Sequence, residues 1–295
     1  LGVLALAGAA GGSFAEVVRP VVSAGRVFDQ AVTLASPGRR QQTVEAGRAG
    51  VARDLALGGE TLAHLEGRTV HVDPFLTAAV WAHQFPWRPA PVFQTYSAYT
   101  PRLDRLNAAA LEGPGAPERI LRHAGSVDGR HPLFESPAYM LALVCNYRPV
   151  HTTAGWQVLA RSPGRCGRPE ALGVTEVAAN TPVTVPGAGD GDLVFARLRL
   201  PDPSLLGAAR RVLYKPARPP EIVLDGNRFT LVESTAGGPL VLRLPTGYAL
   251  GPPGAVPPAA TSLAVEHGGA RLRVEFYRVA VAAVAATPAP APPAP

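Results

Sequence analysis

With 295 residues, 47% of them apolar and 17% charged, the chain can bury two cores of ordinary size and is neither disordered nor supercharged. The net charge of +6 is spread along it, with Lys215 the only lysine and no run of basic residues, so no nucleic acid is expected as a partner. The 32 prolines and 31 glycines require many turns.

The opening Leu1–Ala10 is apolar but shorter than the roughly 20 residues that cross a bilayer. It reads as the end of an upstream transmembrane helix or signal sequence, or as an ordinary Ala-rich helix start. Residues 13–66 read as helical. Ser13 and Glu16 have the spacing of a capping box, Ser36-Pro37-Gly38 breaks the pattern, and Arg39–Leu57 resumes it. Gly58-Gly59 interrupts again, and a last short helix ends at Gly67.

Further β-like runs follow, and the first three each enter a helix. Arg68–Val72 leads through Asp73-Pro74 into Phe75–His83. Val92–Tyr96 leads through Thr100-Pro101 into Arg102–Leu111, whose Leu103, Leu106 and Ala110 form an apolar stripe. Arg119–Arg122 leads through a polar loop and Ser136-Pro137 into Ala138–Asn146, apolar nearly all round and therefore predicted to be buried. Asp, Thr or Ser before proline is a helix-start signal. The side-chain oxygen accepts from a free first-turn N–H, and proline at the first helical position forfeits nothing. Three such joints predict repeated βα units and a mainly parallel sheet. Arg148–Thr153 and Trp156–Arg161 read as a closing hairpin.

After about Gly167 strands recur without helices: Val174–Ala178, Leu193–Leu200, Arg211–Tyr214, Ile222–Leu224, Phe229–Glu233, Leu240–Leu244, Ser262–Val265 and Arg271–Val281. Turn residues such as Asp225-Gly226-Asn227 and Gly268-Gly269 separate them, which suggests an antiparallel sandwich of jelly-roll type. Pro288–Pro295 is a Pro/Ala-rich tail. The two cysteines, Cys145 and Cys166, form no Cys-x-x-Cys pair. They are either two buried thiols or a disulfide, and a disulfide would place the chain in an oxidising compartment.

In an open parallel sheet the strand-to-helix loops share one edge, where ligands bind. That edge would collect His71 and Asp73, then Gln94, Tyr96, Tyr99 and Arg102, then Asp128, Arg130 and His131. Rings that cover apolar sugar faces, beside charged groups that bond hydroxyls, suit a polyhydroxylated ligand. Each residue also has a structural role open to it: Asp73 as a helix cap, Asp128-Gly129-Arg130 as a turn with a local ion pair, Tyr96 and Tyr99 as packing under a helix start. His123 and His131 have no ligand-like spacing with His71, so no metal is expected, and no cofactor. There is no Gly-x-Ser-x-Gly elbow, Walker loop, His-Glu-x-x-His or dinucleotide fingerprint. Asp73 and Asp128 would serve as glycosidase carboxylates only at about 5–9 Å separation.

Gly67-Arg68-Thr69-Val70-His71-Val72-Asp73-Pro74 and Pro91-Val92-Phe93-Gln94-Thr95-Tyr96-Ser97-Ala98-Tyr99 carry a wider resemblance. Ala116-Pro117-Glu118-Arg119-Ile120-Leu121, Val127-Asp128-Gly129-Arg130 and Tyr147-Arg148-Pro149-Val150 follow in order. Together they resemble the extracytoplasmic C-terminal region of multi-pass, mostly actinobacterial membrane proteins similar to GT-C glycosyltransferases of lipid-linked sugars. In such glycosyltransferases the catalytic carboxylates lie between membrane helices, so the resemblance implies an accessory region and transfers no catalytic residue.

The expected architecture is an N-terminal helical segment (1–66) leading from a membrane anchor, then an α/β domain (67–166) with a three-layer, Rossmann-like, mainly parallel sheet. An antiparallel jelly-roll-like β-sandwich (167–282) and a disordered tail (283–295) complete it. The expected role is non-catalytic: an extracytoplasmic accessory or binding module, tethered to the membrane upstream of Leu1 and acting in envelope glycan or glycolipid processes. Its expected ligand is a glycan or lipid-linked sugar, bound through Asp73, Gln94, Tyr96, Tyr99, Arg102, Asp128 and Arg130. A secreted hydrolase of carbohydrates or esters and a purely structural domain are the alternatives.

Overall fold

The computed structural model describes residues 24–123, 125–201, 219–246, 248–250, 259–267 and 271–282. The apolar start, the Ser13–Glu16 capping box, the Arg211–Tyr214 run, the Gly268-Gly269 turn and the Pro/Ala tail lie outside these residues. The chain divides after Leu55 into two compact units. The first holds helices α1 (Ala24–Ala35) and α2 (Pro37–Leu55), separated at Ser36 as the Ser-Pro-Gly signal predicts.

The second unit begins with α3 (Gly59–Leu65), which buries Thr61 and Leu65 and is followed by Gly67 at a left-handed φ of 66°. Its first sheet has the order β1-β2-β4-β3, built from β1 (Val70–Asp73), β2 (Arg119–His123), β3 (Tyr147–Thr152) and β4 (Trp156–Arg161). Only β1 and β2 run parallel; β4 is antiparallel to both β2 and β3. The sheet is therefore mixed, not mainly parallel.

The missing strand explains the difference. Val92–Tyr96 does not join the sheet; it is irregular up to a single 3-10 turn at Thr95–Ser97. The backbone of Val92 is satisfied by a side chain instead of a neighbouring strand. Its N–H donates to Asn107 Oδ1 (2.8 Å), and its carbonyl accepts from Asn107 Nδ2 (3.0 Å). Asn107 is fully buried, so this pairing meets the rule that buried backbone groups must find partners.

The three helix starts also differ. At α5 (Pro101–Glu112) Thr100 caps as expected, its Oγ1 accepting from Leu103 N–H at 3.3 Å with proline at the first position. The Asp73-Pro74 bond is cis, and α4 (Ala78–His83) begins only after Thr77, so Asp73 caps nothing. At α6 (Pro137–Asn146) Ser136 gives no side-chain cap, because its hydroxyl donates to the Thr95 carbonyl at 2.5 Å. The Asp104 carboxylate, projecting from α5, takes that role and accepts from Ala138 N–H (2.9 Å) and Tyr139 N–H (3.0 Å).

The second sheet, β10-β7-β12-β5, joins β5 (Glu170–Ala178), β7 (Asp192–Arg199), β10 (Leu240–Arg243) and β12 (Arg271–Ala280). The third, β6-β11-β8-β9, joins β6 (Val183–Thr184), β8 (Glu221–Leu224), β9 (Asn227–Thr230) and β11 (Ser262–Glu266). Both are antiparallel throughout. The β8–β9 turn has Asp225 and Gly226 at positive φ (48° and 87°), the conformation that two-residue hairpins demand and Asp-Gly provides. Tyr139, Leu143 and Val144 of α6 share one hydrophobic cluster with Ile120, Leu159, Phe195, Leu240, Leu263 and Val274. The unit is thus mixed α/β with two antiparallel sheets beside the mixed one, and α6 shares its hydrophobic cluster with residues of all three.

Cys145 and Cys166 form a disulfide with a Cα–Cα distance of 5.0 Å, joining the end of α6 to the segment that enters β5. Arg165 sits beside it, buried, and donates to the carbonyls of Val144 (3.1 Å), Tyr147 (2.9 Å) and Ala282 (2.8 Å). Its guanidinium lies 5.0 Å from the centroid of the Tyr248 ring. A cation at the carbonyl end of α6 is electrostatically favourable and satisfies groups the helix leaves open.

Candidate functional site

The C-terminal ends of β1 and β2 hold the residues from which a site could be built, in a buried layer and an exposed one. Asp73 closes β1 and Arg122 lies near the end of β2; the parallel register places them opposite each other. They form an ion pair whose side chains are 1% and 4% exposed. Thr95 Oγ1 donates to Asp73 Oδ1 at 2.5 Å, and Arg122 also reaches Met140 Sδ (3.5 Å) and the Pro132 carbonyl (3.4 Å). Tyr139, fully buried beside Asp73, has its hydroxyl pushed well above the ordinary phenol range, mainly by burial. His71 is also fully buried. Its Nδ1 accepts from Ala90 N–H at 3.4 Å, its Nε2 has no hydrogen-bond partner among the described residues, and burial lowers its pKa to about 4.

Glu135 belongs to the same layer. It is 4% exposed and accepts from Val127 N–H at 2.8 Å. Burial raises its pKa to about 7 against the opposing pull of that bond and of Arg122. A carboxyl titrating near neutrality is the feature expected of a general acid, but here it lies under the 125–131 loop and not in an open cleft.

The exposed layer is aromatic. Arg130 is buried, and its guanidinium donates to the Tyr96 carbonyl (2.9 Å), Tyr99 Oη (3.0 Å) and Asp128 Oδ2 (3.2 Å). It also stands 4.9 Å from the centroid of the Tyr99 ring. The turn that aims it has Asp128 and Gly129 both in the left-handed region, as Asp-Gly allows, and Thr230 N–H donates to the Gly129 carbonyl (2.9 Å). Tyr99 is 44% exposed, and the Asp128 side chain is 65% exposed. Tyr96 is half-buried with its ring edge-on to Phe75, which in turn meets His123. Gly125 fits closely there: a Cβ would lie 2.9 Å from His123 Nδ1 and 3.3 Å from Phe75, so the His123 ring would have to shift. Phe93 and Trp87, both exposed, meet edge to face at 5.9 Å on the same segment.

Of the residues expected to bind a ligand, Tyr96, Tyr99, Asp128 and Arg130 come together. Gln94 lies half-buried just before the 3-10 turn, and Arg102 is exposed in the first turn of α5. Asp73 is sealed, because Arg122 and Thr95 occupy its carboxylate, and it cannot act with the exposed Asp128 as a glycosidase pair. His131 is buried between Phe134 and Phe229, its Nδ1 accepting from Leu133 N–H (3.2 Å), and burial lowers its pKa to about 4. Sequence reasoning missed Arg122, Thr95 and Glu135. Arg122 ends a predicted strand and Asp73 directly follows another, the one signal the sequence carries; Glu135 has none.

A cleft of about 820 Å³ lies elsewhere, between α5 and α6 and against the 234–239 turn. Asp104, Arg105, Ala108, Leu141, Cys145 and Arg197 are among its lining residues, and Ser234 connects it to the aromatic layer by donating to the Tyr99 carbonyl. Among the described residues, no helix is long and apolar enough to cross a membrane. No protein-family model matches the chain, and neither a curated protein nor a solved structure matches it.

Proposed function

We propose that this chain is a non-catalytic, extracytoplasmic binding module that recognises a glycan or the sugar part of a glycolipid through Tyr99, Tyr96 and Asp128. The observation that carries the reading is the division of the edge into two layers. Groups able to do proton chemistry, Asp73 and Glu135, are buried and bonded to the protein itself, whereas solvent meets rings and the Asp128 carboxylate. Rings in front of a fixed guanidinium suit sugar faces and hydroxyls, and such a surface binds without reacting. The disulfide supports an oxidising location outside the cytoplasm. The same reading takes the two antiparallel sheets as a jelly-roll-type sandwich and the whole as an accessory part of a membrane-tethered envelope protein.

Titration of the chain with soluble envelope polysaccharide fragments, followed by calorimetry, tests this. Saturable binding weakened about tenfold or more by Tyr99→Ala and by Asp128→Ala is expected, a loss of at least 1.4 kcal/mol. Binding that ignores both substitutions removes the site. Turnover of glycoside or ester substrates that disappears in Glu135→Gln would replace the binding reading with a hydrolase.

A further inference from the structure

A second group of side chains lies away from this edge, where α3 crosses β3. Glu60 and His64 are four residues apart on α3, so they project from one helical face. His151 faces them from β3, its ring stacked on that of His64 with centroids 5.2 Å apart and planes at 27°. His151 Nδ1 stands 3.5 Å from Glu60 Oε1, and one ligand atom from each of the three residues lies within 4.8 Å of the others. Two ligands each about 2.0–2.1 Å from a tetrahedral ion are themselves about 3.3–3.4 Å apart. The Glu60–His151 separation matches that spacing.

A second contact orients the His151 ring. His151 Nε2 is 3.1 Å from Oγ1 of Thr61, a buried helical hydroxyl. In the tautomer that carries its proton on Nε2 and donates it to that oxygen, the Nδ1 lone pair faces Glu60, the orientation that an outer partner imposes on a metal-binding histidine. Arg119 is the opposing charge; its Nε donates to the His64 carbonyl at 3.0 Å and its Nη1 to the Glu118 carbonyl at 2.9 Å. The group formed by Glu221, Glu266 and His267 is different, because Arg228 already pairs with both of its carboxylates.

We propose that Glu60, His64 and His151 bind one divalent transition-metal ion of the zinc class, with three protein ligands and a fourth position open to solvent. Two imidazoles and one carboxylate select such ions over magnesium or calcium, which take oxygen ligands. The Glu60 side chain is 78% exposed, so the ion enters from solvent, and once bound it ties α3 to the β3 edge of the first sheet.

The test is calorimetric titration of the chelator-stripped 295-residue chain with zinc chloride at neutral pH, beside Glu60→Gln and His64→Asn. Glu60→Gln alters a mainly exposed side chain, so its folding should be unaffected. One equivalent of zinc is expected, with affinity reduced at least tenfold in each variant. Zinc should raise the thermal midpoint of the unsubstituted chain and leave both variants nearly unmoved. Absence of saturable one-to-one uptake, or an affinity unchanged in either variant, would overturn the assignment.

Discussion

Replacing Glu135 by glutamine isolates the cost of burying an ionisable carboxyl in this edge. In the unfolded chain the group titrates near 4.5; in the folded protein it titrates at about 7, chiefly because burial penalises the charge. Below 4.5 both states are protonated and the group contributes no pH dependence. Between 4.5 and about 7 the folded state holds a proton that the unfolded state has released, so stability falls as pH rises. Above that window the full cost is in place, about 3 kcal/mol at 1.36 kcal/mol per pH unit. Glutamine is nearly isosteric, keeps an acceptor for Val127 N–H and cannot ionise. Glu135→Gln should therefore match the parent near pH 4.5 and exceed its stability by about 3 kcal/mol above pH 7. His71 and His131 act in the opposite direction. Their folded-state pKa values are lowered from 6.5 to about 4, so the stability they contribute is present above 6.5 and lost as pH falls towards 4. Both histidines remain in the variant and cancel in the difference, which is why the difference and not either curve alone is the readout. Urea unfolding followed by tryptophan fluorescence across this range measures it. A gap that stays flat with pH, or widens towards acid, would refute the argument.

Asp73→Ala should destabilise the fold by about 3–5 kcal/mol, because it strands a buried guanidinium, and Asp73→Leu with Arg122→Met should recover most of that in denaturant titration. Replacing both cysteines by serine should cost about 3 kcal/mol, given the sequence separation of 21, and should make thermal unfolding insensitive to reductant. Asp104→Ala should cost about 1–2 kcal/mol by uncapping α6, measured by the same unfolding assay, with Asp104→Asn retaining part of the loss.

Features set by neighbours in the chain were legible and those set by distant side chains were not. The buried α6, the Thr100-Pro101 start of α5 and the Asp225-Gly226 hairpin each follow from periodicity or from the conformations a few residues permit. The Val92–Tyr96 run has the composition of a strand, yet Asn107, fifteen residues away, occupies the backbone groups of Val92 that a neighbouring strand would need. Ser136 has the identity of a cap, yet an acceptor thirty-two residues earlier, Asp104, fills the position and frees its hydroxyl for Thr95. In each case the local preference is worth about 1 kcal/mol, which a single buried side-chain bond can outweigh. Asp73 shows the same competition at the candidate site. As a cap it would have stayed near the surface, but opposite Arg122 in the parallel register the two charges compensate each other's desolvation, and the carboxylate is withdrawn from any ligand. The Glu60, His64 and His151 group lies between these extremes. Its helical half has a spacing visible in the sequence, whereas the strand that completes it arrives about ninety residues later, and only the fold sets that meeting.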